Sequence, residues 1–155
     1  MASRAALHRA RWLALLVPSA LLGGAYVSEY GFGLYPCEMC WWQRYAHFVA
    51  LGFALIAFAF KKARWPMVLA ALAILASGLI GAYHAGVEYK WWEGFTTCTS
   101  LVAKGGNPLD AILAAPTIRC DEVQWQIFGI SLAGFNFLIS TAGALAVFAA
   151  LKRSR

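Results

Sequence analysis

The sequence predicts an all-α fold: an integral membrane four-helix bundle, one domain over residues 1–155. Three observations predict it. Of the residues, 61% are hydrophobic and only 13% charged, where a soluble domain has about a quarter charged. Four apolar segments, Trp12 to Tyr30, Trp41 to Phe60, Pro66 to Val87 and Val123 to Leu151, have the length of spans, since about 30 Å of hydrocarbon takes roughly 20 residues. No segment alternates as a half-buried strand does, and in lipid a helix satisfies its own backbone.

The first segment follows Arg9 and Arg11 and runs into Gly23-Gly24-Ala25, an outline that imitates a secretory signal. Its uncharged run from Trp12 to Ser28 exceeds the ~7–15 residues of a signal core, so an uncleaved span is expected. Pro18 is expected to kink it, and Glu29 marks its outer end. The turn-rich link Gly31-Phe32-Gly33-Leu34-Tyr35-Pro36 then keeps the next residues near the membrane surface.

Those residues are Cys37-Glu38-Met39-Cys40. Two thiols three residues apart on a first helical turn lie within disulfide reach, so the pair is redox hardware. In the second segment Cys40, Arg44 and His47 stand at i, i+4 and i+7 and share one face. A helix N-terminus favours thiolate, and a cation one turn deeper adds to it, which points to Cys40 as the thiolate. Arg44 also has a plainer reading, as a side chain that snorkels to headgroups. The plainer reading of His47 is packing or an interhelical hydrogen bond.

The third segment opens with Trp65-Pro66, a proline where the first helical turn tolerates it. Near its outer end, His84 falls close in depth to Arg44 and is a candidate donor to a ligand or an interfacial anchor. The connection from Glu88 to Glu122 is longer than a simple helix link, which marks a working segment. Within it, Asn107-Pro108 followed by Leu109, Ile112 and Leu113 predicts a short helix lying on the outer surface, flanked by Cys98 and Cys120. The fourth segment is expected to start with Asp121 as cap and Gln124 closing a capping box. Its Asn136 and small residues suit tight helix contacts.

Charge sets the orientation. Nine of the 13 Lys and Arg lie in the two terminal tails and the Lys61-Lys62-Ala63-Arg64 loop, whereas all seven acidic residues lie in or beside the other two connections. Positive charge collects on the cytoplasmic side, so both termini are expected inside and all four cysteines outside. The net charge of +6 is a topology signal that needs no nucleic acid. In an oxidising compartment the four cysteines allow two disulfides in three connectivities. Of the 13 Trp and Tyr, all but Trp12 and Trp65 fall near the outer interface, an ordinary aromatic belt. The doublets Trp41-Trp42 and Trp91-Trp92 also offer walls for a flat aromatic ligand.

The order of these features resembles the bacterial DsbB family of disulfide-forming membrane oxidoreductases. The likeness rests on four spans with inward termini, Pro36-Cys37-x-x-Cys40 with Arg44 four residues on, and Cys98 and Cys120 in a long second outer loop. It covers almost the whole chain, and Cys120-Asp121-Glu122-x-x-Trp125 also looks familial. The family's known role, with DsbA and quinone, is to keep a bacterial periplasm oxidising. The resemblance implies four catalytic residues, Cys37, Cys40, Cys98 and Cys120, in an inner-membrane protein. Cys98 takes electrons from a periplasmic thioredoxin-fold partner like DsbA, and Cys120 exchanges with Cys37. Cys40 then faces ubiquinone or menaquinone, with Arg44 stabilising the developing charge. Arg44, His47, His84 and Trp41 are the candidate quinone-binding residues, and no metal is expected.

Other readings make distinct demands. The vitamin K epoxide reductase-like family is also four-helical, but its loop cysteines precede the Cys-x-x-Cys. Zinc motifs space paired ligands by about two to four residues, and Cys98 and Cys120 are much farther apart. Trp41 stands where covalent haem attachment needs histidine. A non-catalytic membrane subunit with structural disulfides is the remaining alternative.

Overall fold

The computed structural model describes residues 2–61, 63–94 and 118–154. Cys98 and the surface helix expected around Asn107-Pro108 lie outside these residues. Four helices are described: α1 (Ala2–Phe32), α2 (Glu38–Ala59), α3 (Trp65–Glu88) and α4 (Leu132–Arg153), with a two-strand hairpin, β1 (Gln126–Ile127) and β2 (Ile130–Ser131), ahead of α4. The all-α reading holds. Pro18 stands inside α1 without ending it, and Pro66 occupies the first turn of α3.

The fourth segment departs from expectation at its start. Val123 to Ser131 is not helical, and α4 begins at Leu132, where the Ser131 hydroxyl accepts from the Gly134 N–H at 3.1 Å. Asp121 does not cap the helix, because Lys90 Nζ (2.6 Å) and Arg119 (2.8 Å) hold its carboxylate. Phe128 (φ 51) and Gly129 (φ 76) then make a left-handed turn that pairs Gln126 with Ser131 and Ile127 with Ile130. The turn interrupts any helix continuing from Val123.

The helices form a ring in which α3 packs mainly against α2 and α4, while α1 closes it against α4 and α2. Small side chains let them approach. A Cβ on Gly78 would stand 3.0 Å from Ser140 Cβ, and one on Gly81 2.9 Å from the Ala133 carbonyl oxygen. Ala10, Ala14, Ala54, Ala57, Ala70 and Ala71 pack with Met67, Val147 and Leu151 near the opposite end. There Arg11 donates to the Lys61 carbonyl and Arg64 to that of Leu151. The basic tails and the α2–α3 link therefore meet at the end away from Cys37.

Among the described residues, α1, α3 and α4 are long and apolar enough to cross a membrane. Their outward faces are apolar: Leu79 and Leu145 are about 60% exposed. The helix α2 is of similar length, but its first half carries Gln43, Arg44 and His47, all turned into the bundle and buried. Polar side chains at membrane depth face the protein interior in this way.

Candidate functional site

The site forms where α2 begins. Cys37 is its N-cap, in extended backbone (φ −79, ψ 177), and its Sγ accepts from the Cys40 N–H at 3.3 Å. The two cysteines are free thiols with sulfurs 3.0 Å apart, close enough to share a proton. The hydrogen bond with the Cys40 side chain holds the Cys37 thiol below its ordinary value, assisted by the Cys40 and Met39 N–H groups and opposed by burial. Position on the helix suggested Cys40 as the favoured thiolate. In the reduced pair that role falls to Cys37, because the first N–H groups of a helix point at the N-cap side chain.

Cys120 is disulfide-bonded and buried in one cluster with Cys37, Met39 and Val87. Chain segments far apart in sequence thus bring a disulfide sulfur and a reduced pair together. From α3, His84 Nε2 lies 3.5 Å from Cys37 Sγ and 3.8 Å from Glu88 Oε1. Cys37, Cys40 and His84 hold their ligand atoms within 4.8 Å of one another, a spacing that suits a metal as well as thiol chemistry.

Behind the cysteines, the buried Gln43 and half-buried Asn136 amides join three helices. Gln43 Nε2 donates to the Met39 carbonyl (3.2 Å) and lies 3.1 Å from His84 Nδ1. Asn136 Nδ2 donates to Gln43 Oε1 (2.7 Å) and to the Ser77 carbonyl (3.1 Å). Asn136 Oδ1 accepts from Ser140 (2.9 Å) and faces His47 Nε2 (3.0 Å). Because a carbonyl only accepts, the Ser77 bond fixes the Asn136 amide, so His47 donates through Nε2. His47 Nδ1 is then a bare acceptor, with no partner among the described residues.

Arg44 is buried and paired: Nη1 meets Glu29 Oε2 at 2.5 Å, and Nη2 donates to the Ala25 carbonyl at 3.3 Å. Its guanidinium lies between the rings of Tyr26 and Trp41, 4.9 and 5.0 Å from their centroids. A delocalised cation favours such aromatic faces. The snorkelling reading fails, since this side chain turns inward.

A cavity of about 320 Å³ joins these groups. Leu21 and Leu22 of α1 and Phe135 and Ile139 of α4 line its apolar part, and Cys37, Cys40, Arg44, His47 and His84 also line it. Five expected site residues therefore converge. Trp41 does not line the cavity, and neither do Trp42, Trp91 and Trp92. Trp92 instead stacks on Tyr83 (5.8 Å), and the aromatic wall is supplied by Tyr35, Trp125 and Phe135. Gln43, the pairing of Glu29 with Arg44 and the bridging role of Asn136 escaped the sequence reading. Their polarity within apolar segments was the available signal, because such groups at membrane depth need partners.

Comparison with known proteins adds an independent observation. The family model described as disulfide bond formation protein DsbB matches residues 8–150. A disulfide bond formation protein B of Shewanella sp. (strain MR-4) is 32% identical over 139 residues, covering 84% of this chain and 79% of that protein. One of the same name from Marinobacter nauticus is 27% identical over 159 residues, covering 92% and 93%. An uncharacterized protein of Rickettsia prowazekii is 26% identical over 125 residues, covering 77% and 73%. No solved structure matches the chain.

Proposed function

The chain belongs to the DsbB family of disulfide bond formation proteins, membrane thiol oxidoreductases, and we propose that it reoxidises a periplasmic DsbA-like dithiol and passes the electrons to ubiquinone or menaquinone. The observation that carries this reading is the reduced Cys37–Cys40 pair, which opens on an apolar-lined cavity and whose Cys37 is buried beside the disulfide-bonded Cys120.

The thiol steps balance. A partner thiolate attacks a Cys98–Cys120 disulfide at Cys98 and releases Cys120; the second partner thiol then resolves the mixed disulfide, and the partner leaves oxidised. Cys120 attacks an oxidised Cys37–Cys40 pair at Cys37, and Cys98 resolves that bond. Two electrons and two protons now reside on Cys37 and Cys40. Burial of Cys37 and Cys120 in one cluster suits this exchange.

A quinone supplies a two-electron, two-proton acceptor at the cavity. The cavity residues fit its flat ring: the walls are largely apolar, and Arg44, His47 and His84 are the polar side chains that would hold its oxygens. Arg44 keeps a fixed positive charge in the same cavity, oriented by Glu29, Tyr26 and Trp41. Met39, Val87 and Cys120 pack around Cys37 and bury it.

The proposed setting is the bacterial inner membrane, with both termini cytoplasmic and the cysteines periplasmic. The meeting of the basic tails and the Lys61 link at the end away from Cys37 supports that orientation.

The test is quinone reduction by the purified protein, supplied with a reduced DsbA-like partner. Turnover is expected in the wild type and none in Cys40→Ser. Cys98→Ser is expected to lose partner oxidation while still binding quinone. Absence of turnover with either quinone, from folded protein with intact thiols, would overturn the reading.

A further inference from the structure

We propose that Gln43 is a positioning residue: its amide sets the tautomer of His84 and thereby aims an N–H at the Cys37 sulfur. The functional meaning rests on the thiol-exchange reading above, but the geometry does not.

Two backbone carbonyls, which can only accept, anchor the argument. Gln43 Nε2 meets the Met39 carbonyl, and Asn136 Nδ2 meets that of Ser77. The two amides also interlock, Asn136 Nδ2 to Gln43 Oε1 at 2.7 Å. Flipping Gln43 would set its NH2 against that of Asn136 and its oxygen against the Met39 carbonyl. Flipping both would set the Asn136 oxygen against the Ser77 carbonyl. One orientation satisfies every contact.

With that orientation, Gln43 Nε2 donates its second hydrogen to His84 Nδ1, 3.1 Å away. Nδ1 is then unprotonated, and a neutral ring carries its hydrogen on Nε2. Nε2 is the nitrogen 3.5 Å from Cys37 Sγ. The Glu88 carboxylate, 3.8 Å from the same nitrogen, also suits a donor there. The ring also meets the Cys40 side chain, but Nε2 lies against Cys37 Sγ; a hydrogen bond to a thiolate is charge-assisted, so an N–H at that nitrogen favours negative charge on Cys37.

The same amide decides what the cysteines do not do. The Cys37, Cys40 and His84 ligand atoms have the spacing of a thiolate metal site. A metal at Nε2 needs that nitrogen bare, with the N–H on the other side donating to an acceptor. Gln43 presents a donor there instead. The triad is thereby held for thiol chemistry and set against zinc.

The groups facing Cys37 are Cys40 on its own element and His84 and Glu88 on α3, while Arg44, Arg119 and Glu122 also line the cavity. None changes when only Gln43 is substituted. In the reduced full-length protein, 15N NMR of labelled histidine, assigned against His84→Gln, is expected to find the His84 hydrogen on Nε2. Iodoacetamide alkylation of Cys37, resolved by peptide mass spectrometry across pH, is expected to slow in Gln43→Leu by about tenfold near neutrality, the equivalent of one pKa unit. Gln43→Glu replaces the donor with an acceptor and is expected to bind zinc about 10- to 100-fold more tightly than wild type, the range typical of such supporting groups.

A hydrogen on His84 Nδ1 in the wild type overturns the proposal, even if a Gln43 variant fails to fold. So does an unchanged Cys37 profile in folded Gln43→Leu, or no gain of zinc affinity in folded Gln43→Glu. Neither the NMR nor the alkylation involves quinone, so failure of the quinone reading would appear separately, as absent turnover with the expected tautomer intact.

Discussion

Arg44 and Glu29 form an ion pair inside the bundle, 2.5 Å between Nη1 and Oε2, with side chains only 7% and 12% exposed. It ties α2 to α1 beside the cysteine cavity. The resemblance to the DsbB family implied a cation at this depth but no counter-ion for it. Glu29 fills that role, and the pair orients the guanidinium while leaving it against the cavity.

Removing one partner leaves a buried charge without compensation, which typically costs 3–5 kcal/mol, roughly. Glu29→Gln is therefore expected to destabilise the protein by about 3 kcal/mol, and Arg44→Ala to weaken quinone turnover. The double variant Glu29→Gln with Arg44→Ala is expected to lose less stability than the two single losses added together. Thermal unfolding in detergent, read as a double-mutant cycle, measures the coupling; additive losses would show that the two residues act independently.

Cys37 is held below the ordinary thiol value by its hydrogen bonds with Cys40 and Met39. Its thiolate therefore forms at lower pH than that of a free cysteine. In reduced protein, alkylation of Cys37 is expected to reach its plateau earlier on the pH axis than that of a cysteine in the denatured chain. In Cys40→Ser the profile is expected to move, since the largest contribution comes from the Cys40 side chain. Identical profiles for folded and denatured protein would contradict this.

Gly81 lies where α3 packs tightly against α4. An added Cβ meets the Ala133 carbonyl at 2.9 Å and Asn136 Nδ2 at 3.0 Å, so backbone must shift. Gly81→Ala is expected to cost about 1–3 kcal/mol as overpacking and to disturb the amide network through Asn136. Thermal unfolding measures the first effect, and the His84 NMR signal reports the second. Gly24→Ala, where a Cβ meets nothing within 4 Å, is the control.

Ser131 caps α4 through its hydroxyl. Ser131→Ala is expected to cost about 1 kcal/mol, whereas Asp121→Ala is expected to leave the helix intact. Helical content by circular dichroism and the unfolding midpoint separate the two. If Asp121→Ala shortened the helix and Ser131→Ala did not, the helix would start where the sequence pattern suggested.

Asp121 is held well below the usual carboxylate range, first by Arg119 and then by Lys90. A carboxyl lowered on folding contributes above its ordinary value and loses that contribution as pH falls through the lowered one. The Arg119–Asp121–Lys90 contact is thus expected to persist in acid that protonates ordinary carboxylates. A 13C titration of the Asp121 carboxyl checks it, and a midpoint in the usual range would contradict it.

Much of this protein was legible in the amino-acid sequence alone. Composition and segment length determine helices, because an apolar backbone segment in lipid has few other ways to satisfy its hydrogen bonds. The Cys37-x-x-Cys40 spacing and the shared face of Cys40, Arg44 and His47 are local consequences of 3.6 residues per turn. The start of α4 was not legible: Asp121 and Gln124 match a capping box locally, yet Lys90 and Arg119 take the carboxylate. Which thiol of the reduced pair the hydrogen bonds favour depends on where the helix begins, since Cys37 is its N-cap.

Tertiary structure alone decided how the polar groups pair. Glu29 and Arg44 are 15 residues apart, and Gln43 and Asn136 are 93 apart; no periodicity connects such positions. Packing brings them together because each is a polar group largely withdrawn from solvent that the surrounding apolar protein cannot satisfy. The direction of every bond in that network follows from two backbone carbonyls, those of Met39 and Ser77, whose neighbours exist only once the helices have packed.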